Sequence, residues 1–276
     1  MTLDHMNKNT EYLNLILDPI RVCARYKPKL GQGASSGIAL KEFQAMYRTD
    51  HFYHWMGLDN PLMYAAHKAA GGMTSVYRQI GIGAERLFRQ ILVDNLGLTE
   101  EDVIWSYEVP KTGRRKVTRK LSLDARIPLD KVQDQKKKEK ISQWIQTTAR
   151  ALGVDQRIIQ SLSGIVFEVR QGYKSKDSKR QNADLTNAAT AYTKTYLPCV
   201  AVLSLQIDTD IALRYTNAKW VLLKGSFGQN DPYTSVYDFL NEIIGYNLVT
   251  FFERNSTVIQ HEVDLILRSL LTTDEK

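Results

Sequence analysis

Cysteine is nearly absent from this chain: 276 residues contain only Cys23 and Cys199, each alone in an apolar or mixed segment. That excludes a disulfide framework and a Cys/His zinc site, and leaves both thiols as core residues. No stretch approaches the roughly 18 apolar residues of a membrane span, and MTLDHMNKNTEYL at the start has no apolar signal-peptide core. The expectation is a soluble protein with no membrane partner, cytoplasmic in a prokaryotic cell. P-loops and GxSxG elbows are also missing. Gly81 and Gly83 in IGIGAE have neither a preceding strand nor the third glycine of a dinucleotide fingerprint, so no nucleotide cofactor is expected. His51 and His54 in HFYHW lack a third ligand nearby, and their spacing among aromatics reads as a packed helix face.

What the chain does have is ordinary globular composition, 43% hydrophobic and 24% charged, with a net charge of +7. A basic balance favours a polyanionic partner. The excess is concentrated in KTGRRK (111 to 116), KVQDQKKKEK (131 to 140) and KSKDSKR (174 to 180), whereas the segment beyond Gly225 is close to charge-balanced. KKKEK reads as a solvated helix face.

Hydrophobic periodicity divides the chain into three regions. Residues 1–72 have helical spacing, as in EYLNLILDPIRVCARY, punctuated by Gly and Pro. A helix from about Met73 to Asn95 follows, with Gly97 as its stop and a kink or break at Gly81 and Gly83. The period then changes to two. DVIWSYEVP and VTRKLSLDARIP read as the arms of a hairpin turning at Gly113, and the helical stretches LDKVQDQKKKEKISQWIQTTARALGV and DQRIIQSLSG come next. IVFEVRQ, LPCVAVLSLQ and KWVLLKG are further strands, with a helix opening at Ser178, where Gln181 completes a capping box. Residues 73–225 thus form an α/β (α+β) core, a central mixed sheet of about five strands flanked by helices. Residues 226–276 are a helical region packed on it.

Two acids lie on these core strands, and a buried carboxylate is costly unless it meets a cation or a metal. Asp124 ends the apolar part of LSLDARIP, and Glu168 lies within IVFEVRQ on the same face as Val166 and Arg170. On neighbouring strands the pair could converge on a hard cation such as Mg²⁺. The bland alternatives are salt bridges, Asp124 with Arg126 and Glu168 with Arg170.

The order of elements together with LSLDARIP, FEVRQGYKSKD and GIGAERLF resembles the PD-(D/E)XK nuclease superfamily, and within it the type II restriction endonucleases. The resemblance covers roughly residues 73 to 225. It implies a restriction-endonuclease-like fold, with Asp124 and Glu168 as Mg²⁺ ligands and Glu85 as an additional or outer ligand. Arg170 stands where the pattern has lysine. Arginine stays protonated and accepts protons poorly, though it can hold a phosphate; Lys174 and Lys176 compete for the role. The resemblance further implies cleavage of double-stranded DNA at a short site by a homodimer. Lys174, Lys176, Lys179 and Arg180 would grip a backbone phosphate at the helix entrance, and Arg114, Arg115 and Lys116 at the hairpin tip would reach a groove. A structure-selective repair nuclease of the same fold and a non-catalytic nucleic-acid-binding protein are the alternatives.

Overall fold

The structure is a computed structural model and describes residues 3–30, 37–110, 118–172 and 187–273. Contacts group them into two units, one of Met1–Gly83 with Glu253–Lys276 and one of Ala84–Phe252. These boundaries cut the chain elsewhere than the segments 1–72, 73–225 and 226–276.

The first unit is helical. It holds α1 (Leu3–Arg21), which tightens into a 3-10 turn at Val22–Arg25, then α2 (Leu40–Thr49), α3 (His51–Trp55), α4 (Pro61–Leu96) as far as Gly83, and α11 (Leu248–Leu271) from Glu253. Asn9 and Asn255 exchange side-chain amide hydrogen bonds of 3.1 and 3.0 Å. The Arg21 guanidinium donates to both oxygens of Glu262 at 3.1 and 2.8 Å, a two-pronged bridge from α1 to α11. Phe43, Tyr47 and Tyr64 form a small aromatic core, the first two stacked 4.2 Å apart. Contrary to expectation, α3 is not a packed face: Phe52 is 63% and Trp55 77% exposed. Tyr53 ties it to α2, stacked on Tyr47 at 5.1 Å.

The expected interruption at Gly81 and Gly83 does not occur, and α4 runs unbroken. Close approach, not flexibility, accounts for Gly83. A Cβ there would stand 3.0 Å from Ile16 Cα and 3.1 Å from Ile16 O. At Gly97 the helix does stop. Gly97 adopts φ +67°, and the amides of Gly97 and Leu98 both donate to Val93 O, closing the last turn.

The second unit is a mixed α/β structure. After the short α5 (Glu100–Val103), β1 (Trp105–Pro110) pairs antiparallel with β2 (Thr118–Leu123) as a two-stranded sheet. VTRKLSLDARIP is therefore not one arm. The chain bends at Asp124, and its second half, β3 (Ala125–Pro128), joins a separate four-stranded sheet. That sheet has the order β3-β4-β5-β6, with β4 (Gly164–Arg170), β5 (Tyr196–Val202) and β6 (Val221–Leu223). It has four strands instead of about five because the hairpin stands apart. β3 pairs with β4 antiparallel; β4, β5 and β6 run parallel.

Helices cover the sheet. α6 (Gln135–Ala151) starts later than the expected Leu129: Leu129–Lys131 make a 3-10 turn, and Asp134 caps the helix by accepting the Lys136 and Lys137 amides at 2.8 and 3.1 Å. α7 (Gln156–Ser161) precedes β4, α8 (187–193) precedes β5, and α9 (Thr209–Asn217) lies between β5 and β6. α10 (Val236–Asp238) passes into a π-helical turn at Phe239–Ile244. On one face of β4, Phe167 meets Phe88 of α4 at 5.0 Å and Phe239 at 5.8 Å. The other face contributes Val166 to a core with Val200 and Val202 of β5, Ala191 of α8, Tyr215 of α9, and Trp105 of the hairpin. No described helix is long and apolar enough to cross a membrane.

Candidate functional site

Asp124, at the bend before β3, and Glu168, on β4, are neighbours in backbone register at one end of the four-stranded sheet. The last pair of β3 and β4 is Ala125 with Phe167, so one step further Asp124 stands opposite Glu168. Two hydrogen bonds fix it there. The Asp124 amide donates to Phe167 O at 2.8 Å, and the Val169 amide donates to Asp124 Oδ2 at 2.8 Å. A side chain thereby takes over the ladder where the backbone turns away, because a buried strand amide must find an acceptor. This gives the bend at Asp124 its physical cause.

Glu168 faces away from Phe167, toward the core that holds Val166. It is 7% exposed and forms an ion pair with Arg170, itself 9% exposed. The Arg170 carbonyl accepts the Leu203 amide at 2.9 Å, so the backbone beneath that pair continues into the segment after β5. The bland alternative for Glu168 is thus realised as a contact, but as a buried one. A desolvated pair contributes little net stability and is weak evidence for a purely structural role. The bland alternative for Asp124 is not realised: Arg126 donates instead to the carbonyls of Asp102 at 2.7 Å and Glu101 at 3.4 Å.

Glu85 does not join them. It lies on α4, 28% exposed, in an ion pair with Arg89 one turn on. Among the described residues no group of three His, Cys, Asp or Glu side chains assembles to hold a metal. Two carboxylates are nevertheless a sufficient protein contribution for Mg²⁺, which retains several waters and is commonly held by one or two acids. The donor set at Asp124 and Glu168 fits that ion: hard oxygen ligands, Asp124 half-buried and Glu168 buried, where β3 and β4 meet.

Arg114, Arg115, Lys116, Lys174, Lys176, Lys179 and Arg180 lie outside the described residues, as does the expected capping box at Ser178 and Gln181. Of the other basic segment, Lys136 and Lys140 are exposed on α6, while Lys137 donates to Asn95 O at 2.6 Å. That is the solvated face expected of KKKEK, with one lysine tied down.

Sequence reasoning missed the Val169 amide as the group that orients Asp124, since no residue type marks a backbone donor. It also missed Asn187, 6% exposed on α8, which accepts a hydrogen bond from the Tyr107 hydroxyl of β1. Cys199 behaves as expected. It is buried on β5, and burial pushes its thiol pKa well above the ordinary value, which suppresses the reactive thiolate.

Comparison with protein families, with curated proteins and with solved structures finds no match to this chain.

Proposed function

We propose that this chain is a type II restriction endonuclease, cutting double-stranded DNA at a short specific site in a Mg²⁺-dependent reaction, and acting as a homodimer whose two-fold symmetry suits a palindrome. The observation that carries the reading is the juxtaposition of Asp124 and Glu168 at the β3–β4 end, with Arg170 beside them. The hairpin tip and the segment after β4, both rich in Lys and Arg, supply the electrostatic attraction for the phosphate backbone.

Bound there, Mg²⁺ would supply Lewis-acid polarisation of a phosphodiester and a lowered pKa for an attacking water. The chain's own residues do the positioning. Asp124 is held by the Val169 amide, so one of its oxygens is fixed before substrate arrives. Glu168 is oriented by Arg170. The guanidinium remains protonated and favours the charge that develops on the phosphate oxygens, the role for which a fixed cation is suited and a proton acceptor is not.

Purified protein with Mg²⁺ and plasmid DNA tests the reading. Discrete fragments are expected, and a panel of linear and branched duplexes separates a site-specific enzyme from a structure-selective one. Binding without cleavage across several divalent ions would sink the nuclease assignment. Glu168→Ala is expected to abolish cleavage and retain DNA binding; undiminished cutting would remove Glu168 from the site.

A further inference from the structure

The four-stranded sheet ends in β6, and the outer edge of that strand is only partly covered. The Lys224 amide donates to Thr234 O at 2.7 Å and the Val236 amide donates to Lys224 O at 2.9 Å, so both backbone groups of Lys224 point away from β5. Alternation along a parallel strand gives the Leu222 amide and carbonyl the same outward direction. Among the described residues nothing bonds to either of them on that side. Beside Leu222 the edge opens into a slot of about 640 Å³ between the end of α6 and α9, helices that cover opposite faces of the sheet. We propose that this slot takes the C-terminal end of a partner protein as an added strand, an extended run of apolar residues closed by a free carboxylate. The proposal is independent of the acidic pair and of the nuclease reading.

Unfilled hydrogen-bonding groups are the first argument. A strand amide and carbonyl kept from water need partners, and Leu222 is half-buried. Natural edges are usually blunted by proline, bulges or charge, whereas Val221, Leu222 and Leu223 are all apolar. A side chain repeats the signal. Trp220 is fully buried and lines the slot, and its indole Nε1 has no acceptor among the described residues. Buried indole N–H groups normally find one. An extended backbone presents the alternating carbonyls and amides that such an edge lacks.

Direction follows from what closes the slot. Thr234 to Val236 already occupy the edge at Lys224, so a guest strand has to stop there. Lys224 lines that end, is exposed, and forms no ion pair among the described residues. A guest running parallel to β6 brings its carboxylate to this ammonium; one running antiparallel would set its own N-terminal ammonium against it. Charge therefore selects a C-terminus. The walls suit apolar side chains. Ala151 of α6 and Ala212 of α9 leave room, and the hydroxyls of Thr148 and Thr216 are taken by carbonyls of their own helices at 2.8 and 3.1 Å. Leu213, 57% exposed, is left bare at the rim.

Fluorescence anisotropy of the full chain with labelled pentapeptides tests this, using a mixture whose final residues vary among Val, Ile, Leu and Phe. One batch carries a free C-terminal carboxylate and the other is amidated. The free acids are expected to bind, and the amides at least about tenfold more weakly. Lys224 and Ala151 are both exposed, so Lys224→Glu and Ala151→Phe are expected to melt like the native chain. The first is expected to weaken binding of the free acids at least about tenfold, and the second to block the slot for both batches. The proposal is overturned if neither batch binds, if the amides bind equally well, or if either variant leaves binding unchanged. It is also overturned if light scattering finds a dimer that Ala151→Phe dissociates, because the slot then holds a second copy of this chain.

Discussion

Asp124 and Glu168 differ in how their environments hold them, and the difference predicts different losses. Glu168 sits in a buried ion pair, so Glu168→Gln keeps the shape of the side chain while removing its charge. Cleavage is expected to drop at least about a hundredfold, with duplex binding in a gel-shift assay unchanged. Arg170→Ala removes the buried partner of a carboxylate and is expected to cost about 3 kcal/mol in denaturant unfolding. Arg170→Lys keeps a positive charge at the position and is expected to recover most of that stability. Equal unfolding midpoints for the two variants would show that the charge at 170 is not what holds Glu168. That Glu168 lies on a core strand was legible in IVFEVRQ, since strand alternation puts it on the face of Val166; Asp124, expected on a strand as well, stands at the bend between β2 and β3. That Asp124 caps the Val169 amide was not, because a hydrogen bond between strands distant in sequence depends on register, which residue types alone do not specify.

At the scale of elements, helices bounded by local chemistry were readable and divisions imposed by tertiary contact were not. Gly97 ends α4 as its left-handed conformation requires, whereas Gly81 and Gly83 suggested a break in a helix that is continuous. Gly83 is required by the backbone of α1 lying against it. Gly83→Ala therefore sets about 1 kcal/mol of improved helix propensity against an overpacking cost of about 1–3 kcal/mol, and a net loss in chemical denaturation is expected. The bridge from α1 to α11 supplies a pH dependence. The Arg21 hydrogen bond holds the Glu262 carboxyl below its ordinary pKa. A depressed carboxylate stabilises the folded state above its unfolded pKa, and that contribution is lost as pH falls through the folded value. Both side chains are partly exposed, Arg21 43% and Glu262 25%, so the effect is expected to stay below about 1 kcal/mol. Melting temperatures of the native chain and Glu262→Gln are expected to differ near neutrality and to converge in acid.

For the whole molecule, the proposed encounter with DNA rests on net charge and its placement more than on the fold. The +7 charge and three basic segments predict binding that weakens by about three orders of magnitude between about 50 and 200 mM salt, if about six phosphates are neutralised. Reversing Arg114, Arg115 and Lys116 together is expected to flatten that dependence, by about one in slope for each phosphate no longer neutralised; an unchanged slope would take the hairpin tip off the DNA. A mixed α/β chain with helical ends was legible from the switch between periods 3.6 and 2. The strand count was not, because VTRKLSLDARIP alternates throughout and nothing in that alternation reveals that its halves serve different sheets.

The hydrogen bond from the Val169 amide to Asp124 makes a built-in reporter of the site. Backbone amides exchange with solvent deuterium only when their bonds open, and one bonded to a side chain opens whenever that side chain leaves. Recruitment of Asp124 toward a ligand would register as faster exchange or a moved resonance at one labelled position on an otherwise protected strand. Occupancy of the proposed site by a metal ion can then be followed without any assay of cleavage.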